Sequence, residues 1–486
     1  MSETIRTLEP KAVWNKFTDL NAVPRPSKKE GRVIQFMLDF GQSLGLETFR
    51  DTVGNVIIRK PATKGMEDRK TLTLQSHLDM VHQKNNDTDF DFETMGIDMF
   101  IDGDWVKAKG TTLGADNGLG VATIMALLES TDIDHPALEA LFTIDEETGM
   151  TGAMGLEGGI LQGSILLNLD TEEDDELDIG CAGGIDVTAS GNYSEERVAD
   201  NYIGYRIEVK GLSGGHSGIE IHKGLGNANK IMNRLLYKSN ANHGLRIALL
   251  DGGGLRNAIP RESHAQVVIP KVNKDRFEKD IRNWATVFQK EFKELDPHLT
   301  IEIAAIEIPS KVMVGSDQEK LLQALHSAHN GVYALSPDIP DLVETSNNIA
   351  RVEVNDGNIK IGCLTRSSVE SGKMELANTL KATFEEAGWS VTLSGDYPGW
   401  KPNPDSEILK VLEQKYQELF QEKPKVVACH AGLECGILGR NYPHMDMISF
   451  GPTILGAHSP DERVQISSVK KFWKFVLGIL KDAPKK

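Results

Sequence analysis

The sequence predicts an α/β chain in which a largely parallel sheet is interrupted by a long α+β insert. Helix-period and strand-like runs alternate up to about residue 184, the alternation that builds parallel sheets. The pattern then changes to strand–helix–strand–strand–helix–strand. Alternation returns after a stretch rich in turn formers, PGWKPNPDS at 398–406. The expected segments are 1–184 and 398–486 for the α/β domain and 185–397 for the insert.

In chain order, apolar residues at helical spacing mark 9–21 and 29–45, and strands follow at NVIIRKP and TLTLQSHLD. A helix follows Asp116 in NGLGVATIMALLES, then come strands at ALEALFTID and SILLNLD. In the insert, YRIEVKG, the helix NANKIMNRLLYK, LRIALLDGG, SHAQVVIP, the helix KDRFEKDIRNWATVFQKEF and LTIEIAAIEI make one βαββαβ order. A similar order recurs in part, with a helix around EKLLQALHSAH, strands NIARVEV and NIKIGCLT, a helix MELANTLKATFEEA and the strand SVTLSG. After the turn-rich stretch, SEILKVLEQKYQELF, KVVACH, MDMISF and VKKFWKFVLGIL resume the first pattern.

At 486 residues the chain exceeds a single compact core. Its 40% hydrophobic and 26% charged residues are those of a soluble globular protein. A net charge of −18 offers no basic face to nucleic acid or to an anionic membrane. The N-terminal MSETIRTLEPKAVW lacks a signal pattern, and no stretch approaches the run of about 20 apolar residues that spans a bilayer, so a cytoplasmic location is expected. Cys181, Cys363, Cys429 and Cys435 are scattered, with neither a disulfide framework nor CxxC zinc spacing.

Several strand ends and loops of the α/β part finish in metal-capable side chains. They are QSHLDMV with His77 and Asp79, TTLGADNG with Asp116, TIDEETG with Glu146 and Glu147, LLNLDTEE with Asp170, and LGAHSPDE with His458. Each alone has an ordinary explanation; Asp before Asn-Gly, for instance, is a turn signal. Together they bring two imidazoles and several carboxylates to the place where an α/β fold gathers its functional groups. That inventory suits a pair of divalent ions, which need a bridging carboxylate, terminal ligands and a water between them. Imidazole with carboxylate and no thiolate favours zinc, with cobalt or manganese as alternates. Asp79, two residues from His77 on a strand, shares its face and is placed to orient the imidazole. Glu146 and Glu147 are adjacent like charges at the end of a buried strand, an arrangement that nearby cations offset.

HLDMV, GADNG, DEETG, NLD and GAHSPDE, in this order around a large insert, resemble the co-catalytic dizinc aminoacylase/carboxypeptidase family. The similarity runs through essentially the whole chain, including GGHSG, GLGNANK, GGGLRNAIPRE, YPGW and HAGLECG. The resemblance implies a phosphorylase/hydrolase-like catalytic domain with a lid built from two ferredoxin-like halves. It implies that Asp116 bridges two metals, with His77 and Asp170 completing one site and Glu147 and His458 the other, and that the peptide after Asp116 is cis. Glu146 is then the unligated carboxylate that takes a proton from the bridging water and passes it to the leaving amine, with Asp79 supporting the site. The implied reaction is hydrolysis of short peptides, above all dipeptides with a C-terminal histidine such as carnosine, by a homodimer.

For the lid, the resemblance implies that His216 in GLSGGHSG steadies the substrate carbonyl oxygen. Asn257 in RNAIP and Arg366 in CLTRSS align with positions that hold substrate, and a guanidinium suits a free C-terminal carboxylate. A surface ion pair is the other reading of Arg366. Glu434 in HAGLECG likewise has two readings, receiver of the substrate ammonium or partner in a structural hydrogen bond. The insert is long enough for two lid units, so His216 and Arg366 are expected to act within one subunit, whereas family members with one unit borrow such groups from a dimer partner. Two further readings keep the scaffold but change the role: a deacylase of N-acyl amino acids, or a non-catalytic metal- or peptide-binding protein. The unligated Glu146 speaks against the second, because binding alone needs no base.

Overall fold

A computed structural model describes residues 2–486. The chain forms two compact units. One comprises the residues up to Gly180 together with Trp400–Ala428 and Leu433–Lys486; the other comprises Cys181–Gly399 and Cys429–Gly432. The four-residue return at Cys429–Gly432 is not foreseen in the sequence pattern.

The first unit is built on an eight-stranded sheet. Its order is Glu47–Arg50, Val56–Lys60, Leu138–Thr143, Leu72–His77, Ile165–Asn168, Asp446–Ser449, Glu176–Cys181, Lys425–Cys429. The four strands from Leu138–Thr143 to Asp446–Ser449 run parallel. The flanking pairs at Glu47–Arg50, Val56–Lys60 and Glu176–Cys181 are antiparallel, so the parallel character resides in the centre. The physical reason is burial: LEALFT, LTLQSH and ILLN are buried at every position, as strands covered on both faces must be. One cover is the helix Ala115–Glu129, apolar all round and packed through Leu119, Ala122 and Ala126 with Val13, Trp14 and Phe17 of the helix Lys11–Asn21. The helix Ile466–Lys481 instead buries a single stripe, Val469, Phe472, Val476, Ile479 and Leu480.

The second unit is a nine-stranded sheet with helices, and its order reveals two nested halves. Thr300–Ile306, Tyr202–Lys210, Ser263–Pro270 and Arg246–Gly253 are followed by Val343–Asn355, Asn358–Ser367, Gly183–Asn192 and Ser390–Tyr397, and the ninth strand, Gly331–Leu335, pairs antiparallel with Val343–Asn355 off this run. The first four strands, with the helices Ala228–His243 and Lys274–Glu291, complete one βαββαβ half. The other half uses Gly183–Asn192 as its first strand, then the helix Gly315–Ser327, the next two strands, the helix Glu370–Glu386 and Ser390–Tyr397. Its missing opening strand therefore lies before the inner half in the chain, which is why a sequential reading finds the second order only in part. Glu195–Arg197 pairs antiparallel with Lys311–Met313 and forms a neck through which the chain enters and leaves the inner half. The strands Arg246–Gly253 and Val343–Asn355 join the halves into one sheet. Among the described residues, no helix is long and apolar enough to cross a membrane.

Candidate metal centre

The site grows from the carboxyl ends of the central strands of the first unit. Leu72–His77 ends on His77, whose imidazole is 1% exposed. His77 Nδ1 lies 3.1 Å from the main-chain oxygen of Asp79 and 3.4 Å from Asp79 Oδ1. Both are acceptors, so Nδ1 carries a proton and Nε2 is the nitrogen turned toward the other carboxylates. Nε2 faces Asp116 Oδ1 at 3.1 Å and Asp170 Oδ1 at 3.5 Å. Asp116 stands at the start of the helix Ala115–Glu129 in a non-helical conformation, where the positive end of the helix favours an anion, and the Asp116–Asn117 peptide is cis. Asp170 follows the strand Ile165–Asn168 and accepts a hydrogen bond from Asn117 Nδ2.

At the end of Leu138–Thr143, Asp145 adopts φ 54° and turns the chain so that Glu146 and Glu147 open a short helix. Asp79 braces this turn: Oδ1 accepts from Glu146 N at 3.0 Å, and Oδ2 accepts from Glu147 N at 3.3 Å and from Ser27 Oγ at 2.8 Å. Asp79 thus supports both His77 and the glutamate pair. His458 sits on a loop at φ 64°, a conformation that costs a non-glycine residue energy and recurs at functional sites. Its Nε2 lies 3.2 Å from Asp116 Oδ2 and 3.0 Å from Glu147 Oε2.

The expected ligand residues therefore fall into two sets that share Asp116. The ligand atoms of His77, Asp116 and Asp170 lie within 4.8 Å of one another, and so do those of Asp116, Glu147 and His458. Hydrogen bonds to Asp116 and Glu147 push the His458 imidazole up to about 11. Burial opposes the charged form of His77, but Asp170, Asp116 and Asp79 together hold its pKa well above the ordinary value. Burial raises the Glu146 carboxyl well above the usual carboxylate range, with Asp170, Glu434 and Glu147 adding to it and His77 opposing. Glu147 Oε1 is buried without a hydrogen-bond partner. A crowd of carboxylates that draws protons onto two imidazoles and leaves a buried anionic oxygen unpaired asks for positive charge. The nitrogen–oxygen donor set fits divalent metal ions. A neighbouring group, Glu30, Asp79 and Asp145, has its carboxylates engaged by Lys28, Ser27, Thr148 and Thr151.

Beside the candidate ligands a chain of side-chain hydrogen bonds crosses the sheet. Thr143 Oγ1 (2.7 Å) and Gln75 Nε2 (2.6 Å) donate to Glu434 Oε2; Asn168 Nδ2 donates to Gln75 Oε1 at 2.5 Å; Ser449 Oγ donates to Asn168 Oδ1. Thr171 Oγ1 joins Ser449 Oγ to Asp178 Oδ2, both at 2.8 Å. Glu434 has no exposed surface; its Oε2 is held in this row while Oε1 is buried without a hydrogen-bond partner, so one oxygen meets the structural reading and the other is left for a cation.

The remaining expected residues lie in the second unit. His216 Nδ1 accepts from the main-chain N–H of Gly218 (3.2 Å) and Ile219 (3.1 Å), which leaves Nε2 as the donor. Burial and the Arg366 charge lower its pKa, so the ring is neutral at neutral pH. Asn257 is exposed, and its main-chain oxygen accepts from Ser217 N at 2.7 Å, because Gly215–His216 and Ala258–Ile259 pair as two short strands. Arg366 is 4% exposed and donates through Nη1 to Tyr397 Oη at 2.8 Å; among the described residues it forms no ion pair with a carboxylate, so the surface ion-pair reading finds no partner. His430, from the four-residue return, meets Ser346 Oγ through Nε2 at 2.8 Å, and burial together with Arg366 pushes it down to about 3.

Sequence reasoning gave no role to four groups that this arrangement brings forward. Tyr397 and His430 lie in the quoted YPGW and HAGLECG stretches, but nothing in those strings ties them to Arg366. Glu462, in GAHSPDE, and Arg25 both touch the loop that carries Asp116, through main-chain groups that leave no trace in residue spacing.

A carboxylate shared by two imidazole–carboxylate sets, at the ends of parallel strands, is the arrangement of a metal-dependent hydrolase. The chain belongs to peptidase family M20/M25/M40, whose family model matches residues 73–482. It is 42% identical to the cytosol non-specific dipeptidase of Escherichia coli (strain K12) over 486 residues, the whole of both chains. It is also similar to the crystal structure of aminoacylhistidine dipeptidase from Vibrio alginolyticus, at 42% identity, TM-score 0.95 and full coverage of both chains. The aminopeptidase PepT structure from Bacillus cereus shares the fold at TM-score 0.58 and 16% identity, over 98% of this chain and 99% of that one.

Proposed function

We infer that this protein is a metal-dependent dipeptidase. The observation that carries the reading is Asp116, whose two carboxylate oxygens reach the imidazoles of His77 and His458, while Glu146 beside them forms no ion pair among the described residues. Full-length relatives named as dipeptidases support the same reaction and favour neither the N-acyl deacylase nor the non-catalytic alternative. Two divalent ions per chain are proposed, zinc with cobalt or manganese as substitutes. His77, Asp116 and Asp170 hold one, and Asp116, Glu147 and His458 hold the other.

Bound there, the ions supply Lewis acidity, polarising a carbonyl and lowering the pKa of water. Asp79 fixes His77 with Nε2 turned toward the carboxylates. Glu146 takes a proton from the attacking water and returns it to the leaving amine, so a C–N bond is exchanged for a C–O bond and the amine departs protonated. Neutral His216 offers Nε2–H to the carbonyl oxygen as negative charge builds on it, and Asn257 adds a hydrogen bond. Arg366, without a carboxylate of its own, pairs with the free carboxylate of the substrate. Dipeptides ending in histidine are proposed as substrates within a wider range, since one relative is named non-specific and the other for aminoacylhistidine. A cytoplasmic homodimer is proposed from the family resemblance and the cytosolic relative.

The test is hydrolysis of a dipeptide panel, with and without C-terminal histidine, beside N-acetyl and N-succinyl amino acids. Dipeptide cleavage that disappears with chelator and returns with zinc or cobalt is the expected result. Cleavage of the acylated amino acids alone overturns it.

A further inference from the structure

Asp116 is shared, so its position decides both ligand sets, yet its own side chain does not fix where the loop 113–116 lies. Two buried side chains grip that loop. Glu462 is 2% exposed, and its carboxylate receives four consecutive main-chain N–H groups. Leu113 (2.7 Å) and Gly114 (2.9 Å) donate to Oε2, and Ala115 (2.7 Å) and Asp116 (3.2 Å) donate to Oε1. Four donors fill the accepting capacity of an ionised carboxylate. From the carbonyl side, Arg25, 1% exposed, donates through Nη2 to the Gly114 oxygen at 2.6 Å and to Asn21 Oδ1 at 3.0 Å. Its Nη1 donates to the main-chain oxygens of Leu78 (3.1 Å) and Asp79 (3.2 Å). The fit is close: a Cβ on Gly114 would lie 2.6 Å from Arg25 Nη2.

We propose that Arg25 and Glu462 are positioning residues that pre-form the Asp116 bridge by gripping opposite polar edges of the loop 113–116. Arg25 ties that loop to the turn after His77. Glu462 ties it to the loop of His458, four residues upstream in the chain. Three segments that each bring a ligand are thereby held in register through main-chain hydrogen bonds, by two side chains that are not ligands themselves. A carboxylate whose oxygens must face two different imidazoles tolerates little displacement, and supports of this kind commonly govern metal affinity. The proposal rests on Asp116 being a ligand shared by two ions.

The experiment titrates metal-free protein with Zn²⁺ by calorimetry and with Co²⁺ by visible absorbance, counting ions and their affinities. Glu462→Gln keeps the size but turns an NH₂ toward two of the four N–H donors. A folded Glu462→Gln is expected to bind at least one ion about 10- to 100-fold more weakly. Should it fail to fold, Arg25→Lys keeps the charge, loses the fork, and is expected to show the same weakening. Wild-type affinities for both ions in either folded variant overturn the proposal. Asp116→Ala on its own, if it leaves both affinities intact, removes the shared-ligand reading instead, and the proposal falls with it.

Discussion

Glu146 and Glu147 are neighbours in the chain with different surroundings. Glu147 turns Oε2 to His458 at 3.0 Å and keeps Oε1 buried without a partner, whereas Glu146 has no ion-pair partner among the described residues and a carboxyl raised by burial. Their substitution should therefore separate two phenotypes. Glu146→Ala should keep both ions while turnover falls about 10²- to 10⁴-fold; Glu147→Ala should lose one ion. Elemental analysis of the purified variants beside kcat checks this, and equal metal loss in both undoes the division of roles. The candidate ligand residues were legible because they sit in short strings at or just beyond strand ends and in loops, as His77 at the end of Leu72–His77 and Asp170 just after Ile165–Asn168 do. Arg25 and Glu462 were not, because they act on peptide groups, and a peptide group has no letter in the sequence.

At the scale of elements, the hydrogen-bonded row from Glu434 to Asp178 runs beside the candidate ligands: Gln75 lies two residues before His77 on its strand, and Asn168 closes the strand that Asp170 follows. Burial pushes the Asp178 carboxyl from 3.8 up to about 7. A carboxyl whose pKa rises on folding binds its proton more tightly in the native state. Its stabilising contribution is complete below pH 3.8 and disappears as pH climbs through about 7. Asp178→Asn removes that titration, so the variant should gain on the wild type with rising pH, by up to roughly 4 kcal/mol over the whole window. Urea unfolding at pH 5 and pH 8 measures the gain; parallel pH profiles would mean that this carboxyl is not the titrating group. The sequence pattern located the central strands by their apolar runs, but it could not distinguish their parallel pairing from the antiparallel pairs at the sheet edges. Pairing direction depends on connections elsewhere in the chain, not on the run itself.

At the scale of the whole molecule, both halves of the second unit belong to one chain, and His216 and Arg366 come from different halves. If both serve the active site of their own subunit, mixing inactive His216→Ala with inactive Glu146→Ala should restore no activity. Recovery on forming mixed dimers would show instead that a partner donates the histidine. The nesting of the halves escaped a sequential reading because Gly183–Asn192 is parted from its own half by more than a hundred residues of the other.

That nesting also bears on heredity. The inner half begins and ends side by side, with Gly204 opposite Ile306, and leaves through a neck of two short strands. A piece whose two ends are neighbours can be gained, lost or exchanged in a single genetic event without rethreading the rest. His216 and Asn257 travel on that removable piece, while Arg366 stays behind on the outer half.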